Sequence, residues 1–417
     1  MSVDNSELLM LLGGKKKAKQ TIGIAGQQGF GVGAYGGSPA DLTAMGLTPM
    51  EGCEDPTSDN YGNYIHTKGS IMCFIPAFCY RIGNPAAPSY ARDNENALEI
   101  RDASKGEGDG WILHRAFIDG GVQKSGFFID KYICSKDSSS QRAVSVKNGS
   151  NISLYSKFAD SLAMANCTGK LIDAIILSRA RGEHYSCVTA FQWSAISMLS
   201  LAHGQASTSN QFCGWYDANH KTNYPKGNNN SYLGDANDSS VHWTGHGFNK
   251  DIGRTGSGSP FNKTTHNGQN NGVSDVNGSQ WQTVIGWQSP SSTQMMFMKE
   301  SVKAHDINYD NRNDTTLYDT MSFSNAPSYN KWGASAFFTD DSGTGRAMCG
   351  VYPREAQSSG TPIFGNDNVF TAWGSDSVII VAGDAYSGIG AGVWSRNVSY
   401  WSYANWNFSF RAAGYAN

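Results

Sequence analysis

The sequence predicts a loop-rich α+β fold, and the order of its segments carries that expectation. Apolar and aromatic runs bounded by turn residues come first. Apolar residues at three- and four-residue spacing follow between residues 156 and 202. A long Asn-, Gly-, Ser- and Thr-rich tract then gives way to short strand-like pieces. Composition agrees: of 417 residues, 16% are charged, 48 are Gly and 12% are aromatic. Such a chain has apolar material for a core and a surface that is polar without being charged. The expected organisation is an N-terminal attachment and oligomerisation arm at 1–40, a connecting segment at 41–69, and one domain over 70–417.

In the arm, Leu8, Leu9, Leu11 and Leu12 precede Lys15, Lys16, Lys17 and Lys19. The apolar stretch is too short for a secretory leader and the lysines stand on its wrong side. No apolar run approaches the ~20 residues that span a bilayer, so membrane insertion is not expected. A net charge of −3 gives no footprint for nucleic acid. Gly31-Val-Gly33-Ala-Tyr-Gly36 matches a dinucleotide-binding fingerprint in form only. Gly37-Ser38-Pro39 interrupts any following helix, so these glycines are read as permitting tight turns or close chain contact.

Ser70 to Arg81 and Gly126 to Cys134 read as strands, with Asp130 and Lys131 as surface charges or an edge ion pair. Ser156 to Cys167, Lys170 to Arg181 and Thr189 to Ala202 read as helices. The polar tract from His203 to Gly278 reads as long loops, which tend to be functional. Trp281 to Trp287 and Gln294 to Met298 interrupt the polar sequence. Strand-like pieces return at Ala334 to Phe338, Ala347 to Tyr352, Val378 to Ala382 and in the tail.

Few residues suggest chemistry. Eight cysteines, with no CxxC pair, are read as small core residues. His242 and His246, with His220 and His266 nearby, are the best metal-like cluster, but they lie in loop sequence without a supporting carboxylate. Asp235, Asp238, Asp275 and Asn277 could ligate calcium, yet no EF-hand spacing is present and turn formation explains them more simply. No serine occupies a nucleophile elbow. The expectation is no cofactor and no catalytic constellation.

The tail is more informative. Between Val393 and Phe410, nine of eighteen residues are Asn, Ser or Tyr and seven are aromatic. From Gly392 to Asn417 there is no Asp, Glu, His, Cys or Lys, hence no general acid or base. Tyr and Trp supply contact area with few rotatable bonds, and Ser and Asn supply adaptable hydrogen bonds. The tail therefore reads as a binding surface or as a buried aromatic strand pair.

Gly126-Phe-Phe-Ile-Asp-Lys-Tyr-Ile-Cys-Ser135 resembles the entry strand of the formylglycine-generating-enzyme variety of the C-type lectin fold. Thr168-Gly-Lys170, Arg181-Gly182, Cys187 to Ala195, Gly272 to Trp281 and Phe410-Arg411 resemble further motifs of that family, in order. After Cys349 the chain lacks the paired cysteines of the true enzymes. The tail instead resembles the variable region of proteins diversified by retroelements, with Ala391 to Trp394 and Ser409 to Gly414 as framework. This resemblance implies a phage or related viral receptor-binding protein on the virion, at a tail-fibre tip. It implies variable ligand-binding residues within 392–411: Ser395, Asn397, Ser399, Tyr400, Trp401, Ser402, Tyr403, Asn405, Trp406 and Asn407. The implied partners are a host surface protein or glycan and, through the arm, other tail proteins; a homotrimer is expected from the arm and from the avidity a surface binder needs. An oxidoreductase or a structural tail protein on the same scaffold is the alternative.

Overall fold

Two six-stranded sheets share one hydrophobic core in the computed structural model. It describes residues 21–416 apart from 138–141, 153, 155–168, 219–223, 232, 246–250, 292, 323–328, 334–335, 355–359, 371–373 and 375. The architecture is mixed and β-rich, with several sheets, few helices and much irregular chain.

The first sheet runs Leu47–Pro49, Asn63–His66, Ile71–Pro76, Gly126–Asp130, Ala412–Gly414, Tyr185–Cys187. Its centre is apolar on most ladder rungs: Phe74 faces Phe128 and Ile75 faces Phe127, while Met72 faces Asp130. The run expected as one strand from Ser70 is two, Ile71–Pro76 and Phe78–Ile82, divided at Ala77, whose N–H still meets the Ser125 carbonyl at 2.9 Å. Phe78–Ile82 leaves for a small sheet with Leu98–Asp102 and Ile112–Leu113. The expected connector 41–69 supplies two strands of the first sheet. Much of the expected arm is core as well, since Ile22, Phe30 and Val32 are fully buried. Residues 1–20 lie outside the described residues.

The second sheet runs Tyr329–Lys331, Asn368–Phe370, Gly392–Tyr400, Ser377–Ala382, Trp281–Thr283, Phe408–Phe410. The tail is therefore split between the sheets. The ordered motifs place the tail strands beside the strand Phe127 to Tyr132, but only Ala412–Gly414 lies beside Gly126–Asp130; the rest belongs to the second sheet. Helix Ala190–Ala206 packs against Gly392–Tyr400. Its start is set by a reciprocal cap between Thr189 and Gln192. It is buried on nearly all sides, and Ser197 and Ser200 return their hydroxyls to the carbonyls of Trp193 and Ile196. A second expected helix is present as Asp173–Arg179; the one expected at 156–167 lies outside the described residues. Ala347 to Tyr352 is not a strand. Ser342 caps a short helix, Gly343–Met348, in its place.

A buried polar junction ties the two sheets. Asp130 and Lys131 are neither exposed nor paired with each other. Asp130 is fully buried and ion-paired with Arg181, and it also accepts from Ala412 N at 2.8 Å. Lys131 donates to Asn63 Oδ1 and to the Asn270 carbonyl. Arg411, at the residue where the chain passes between sheets, donates to the Asp130 carbonyl at 2.9 Å, Gln282 Oε1 at 2.6 Å and the Asp275 carbonyl at 2.9 Å. Removing one partner of such a pair leaves an uncompensated buried charge. Asp130→Ala is expected to lose about 3–5 kcal/mol in urea unfolding, and Asp130→Ala with Arg181→Met much less than the sum. Additive losses would show that the two side chains act independently.

Candidate ligand-binding surface

The long strand Gly392–Tyr400 is anchored before it reaches the surface. Asp367 Oδ2 accepts from Trp394 N at 2.8 Å, and burial pushes its carboxyl well above the usual carboxylate range. A Cβ at Gly392 would stand 2.0 Å from that same oxygen, so only glycine fits there. Trp394 stacks edge-on against Trp332 and Phe364, at 4.8 and 5.1 Å between ring centroids. The fully buried Arg396 gives its donors to the carbonyls of Val351, Val393 and Gly350 at 2.9–3.0 Å.

This strand is central in its sheet, and successive residues point to opposite covered faces. Two site residues expected to face solvent therefore do not: Ser395 is fully buried and donates to the Gly390 carbonyl, and Ser399 is 8% exposed. Trp401 is also buried. Asn397 is half-buried, and its side-chain oxygen accepts from Val398 N at 2.8 Å.

Beyond Ser399 the character changes. Tyr400 is 37% exposed and Tyr403 47%, with Ser402 and Ala404 exposed beside them. The backbone of this segment is held by its own carbonyls and by the N–H groups of Trp401 and Asn405, which donate to the carbonyls of Asp376 and Leu154 at 3.0 and 3.1 Å. Trp401 O accepts from Ile172 N at 3.3 Å, Tyr403 O from Leu171 N at 3.0 Å, Asn407 O from Trp281 N at 2.8 Å and Phe408 O from Leu154 N at 2.9 Å. Gln280 Nε2 holds Trp406 O at 2.8 Å. Because main-chain groups do the holding, side chains that project outward are free to differ. Asn405 and Asn407 are half-buried; the first accepts from Trp406 N and the second donates to Asp384 Oδ2, at 2.8 and 2.6 Å. Trp406, also half-buried, packs edge-on against Tyr386 at 5.4 Å. Tyr386 and Ile389, both about half exposed, border the segment and were not singled out in the sequence. Their turn, rich in Gly, Asp and Ser, reads in the sequence only as a connection after Val378 to Ala382.

The metal-like residues have other employment. His266 is fully buried; its Nδ1 accepts from Val273 N at 2.9 Å and its Nε2 faces the Gly31 carbonyl at 3.2 Å. A Cβ at Gly31, whose φ is +86°, would lie 2.9 Å from that ring, which accounts for a glycine in the fingerprint-like run. His242 lies on a bridge to Ser259, while His220 and His246 fall outside the described residues. The carboxylates of Asp235, Asp238 and Asp275 accept from backbone or side-chain donors, Gly227 N, Ser240 N and Gly256 N among them. Asn277 donates to the Pro225 carbonyl. Asp235 and Asp238 also accept from the backbone two residues on, at Asn237 N and Ser240 N, as turn formers do, whereas Asp275 and Asn277 tie segments distant in sequence. Among the described residues, no three His, Cys, Asp or Glu side chains converge to hold a metal. Nor is any described helix long and apolar enough to cross a membrane.

Two measurements check this geometry. Tyr400→Ala with Tyr403→Ala should move stability by no more than about 1 kcal/mol, because exposed substitutions usually shift it by within about 0.5 each. Phe410→Ala, at a fully buried position, should lose roughly 3–5 kcal/mol. Equal losses would make the segment core. For His266, burial lowers the pKa from 6.5 to about 3. The unfolded chain then takes up a proton that the native chain refuses. The contribution of His266 is therefore complete above pH 6.5 and declines as pH falls toward 3. The stability gap between the parent and His266→Asn should narrow on acidification by up to about 1.4 kcal/mol per pH unit. A gap that stays constant down to pH 5, about the middle of that window, would show a histidine already charged when folded.

No family model and no curated protein matches the chain. Among the solved structures similar to it are two with different coverage. The major tropism determinant U1 variant is 10% identical over 83% of this chain and 63% of its own length, with a TM-score of 0.31. PvdO from Pseudomonas aeruginosa is 12% identical over 84% of this chain and 95% of its own, with a TM-score of 0.27. The chain thus spans less than two thirds of the first structure.

Proposed function

We propose that this chain is a non-enzymatic receptor-binding protein of a phage or related virus, carried on the virion, with a diversified contact surface at its C-terminal end. One observation carries the reading. A segment held through its main-chain groups presents Tyr400, Ser402, Tyr403 and Ala404 outward, between a buried framework of Trp394 and Arg396 on one side and Phe410 and Arg411 on the other. Fixed support beneath and exchangeable side chains above is what a variable binding site requires. Exposed tyrosines suit such a site, since one aromatic hot spot contributes about 2 kcal/mol or more.

The contact set in this reading is Tyr400, Ser402, Tyr403, Asn405, Trp406 and Asn407, with Asn397 at its edge. Ser395, Ser399 and Trp401 move to the framework. The ordered motifs support a C-type lectin fold of the formylglycine-generating-enzyme variety. A homotrimer would raise avidity without any new contact, with residues 1–20 as the attachment to other tail proteins.

The DNA just downstream tests the diversification directly. A near-identical repeat of the codons for 392–411, differing at adenines and beside a reverse-transcriptase gene, is expected; differences spread evenly over all bases would refute it. Light scattering should give about three times the 45.0 kDa chain mass, and a monomer at micromolar concentration would remove the trimer.

A further inference from the structure

We propose that the contact surface continues onto the turn 384–389, where Tyr386 and Ile389 form a fixed anchor, and that the surface fits a protein face of low charge. This rests on reading 392–411 as a binding segment. The turn joins Ser377–Ala382 to Gly392–Tyr400 and lies outside the segment proposed to vary. Tyr386 is 49% exposed and Ile389 50%.

Both are presented rigidly. Tyr386 OH donates to Asp251 Oδ2 at 2.6 Å, and its backbone N donates to Asp384 Oδ1 at 3.1 Å. Ser387 Oγ donates to the same Asp384 oxygen at 2.7 Å, and Gly388 N to the Asn229 carbonyl at 2.9 Å. The strand register gives the extent of the surface. Ser377 pairs with Tyr400 and Ala382 with Gly392, so Tyr400 and the turn stand at opposite ends of one hairpin. Five residues of strand separate them, about 17 Å. Residues 401–407 cover that distance, with Tyr403 on the way and Trp406 against Tyr386. Exposed or half-buried aromatic side chains therefore lie along this course, with Ile389 three residues from Tyr386 on the same turn.

The kind of partner follows from which groups remain available. A glycan site needs carboxylates and amides free to meet hydroxyls. Here Asp251 and Asp384 are 7% and 8% exposed, with oxygens engaged by Tyr386, Ser387 and Asn407. The side-chain oxygens of Asn397 and Asn405 accept from the backbone of the next residue. Near Tyr400, Arg312 and Asp376 pair with each other at 3.1 Å. What projects is aromatic and aliphatic with small residues between, the make-up of a protein-contact core from which charge is depleted. A half-exposed isoleucine contributes by desolvation against an apolar face and offers nothing to a hydroxyl.

Panning a random dodecapeptide library against the full-length protein tests this. Enriched peptides should lose about tenfold in affinity, some 1.4 kcal/mol, on Tyr403→Ala, on Tyr386→Ala and on Ile389→Ala, and should be indifferent to added salt. Ile389→Ala covers the chance that Tyr386→Ala disturbs the turn, and unchanged melting temperatures confirm folding. Loss with Tyr403→Ala but with neither turn variant overturns the anchor and leaves the binding segment standing. Tyr403-dependent labelling of a glycan array, with no Tyr403-dependent peptide, overturns the protein partner. Indifference of every bound probe to Tyr403→Ala sinks the underlying reading as well.

Discussion

The arrangement depends on a buried guanidinium at the place where the chain changes sheets. Arg411 separates Phe408–Phe410, on the edge of one sheet, from Ala412–Gly414, between two strands of the other. A side chain there sits where two sheets meet, fully buried. Taking a charge out of water costs several kcal/mol unless its donors are met, and Arg411 meets them with three carbonyls from two segments, at Asp130 and at 274–275, and with Gln282. The Asp130–Arg181 pair stands alongside, with Asp130 accepting from the very next backbone N–H, that of Ala412. Such a junction tolerates one geometry, because a displaced chain would leave donors unsatisfied. The C-terminal strand is thereby held in place to complete the first sheet.

The start of the tail is held by different means to the same end. Asp367 at Trp394 N, the donors of Arg396, and Trp193 Nε1 and Ser197 Oγ on the Val393 carbonyl pin the strand to its neighbours and to the long helix. Residues 400–407 are thus suspended between two rigid anchorages and owe them their position. Stability resides in the anchorages, and in the proposed reading recognition falls to the side chains between them. This separation lets identity at Tyr400, Ser402 or Tyr403 change without a large effect on folding.

Much of this was legible in the residues. The spacing of Phe191, Ala195, Ile196 and Leu199 marked the long helix, and Trp394, Phe410 and Arg411 were placed as framework. Each miss has a physical reason. Alternation along a strand separates faces, but it does not say whether both faces are covered, and in a central strand Ser395 is as buried as Trp394. The Asn- and Ser-rich tract read as surface loops, yet Asn228, Thr265, His266, Asn267 and Asn277 are at most 1% exposed. There, side-chain amides and hydroxyls do the work of missing ladder partners. Asn267 meets the Phe30 carbonyl and Asn63 that of Asn271. Polarity signals exposure only where the backbone is satisfied by regular structure. The same substitution draws the expected arm inward, since residues 30 and 31 are bonded by that tract.

Tyr386 was missed for a related reason. Its importance comes from Asp251 and Trp406, 135 and 20 residues away in sequence, rather than from its neighbours. A segment that varies needs a constant feature beside it if some contact is to survive every change of sequence. A turn locked by Asp384 and Asp251 provides one without drawing on the variable positions. Ile389 on the same turn places an aliphatic group three residues from Tyr386, where burial against a partner is worth most to a side chain now half in water. The fixed turn would then set where a partner docks, and the exchangeable tyrosines and serines would set which partner is accepted.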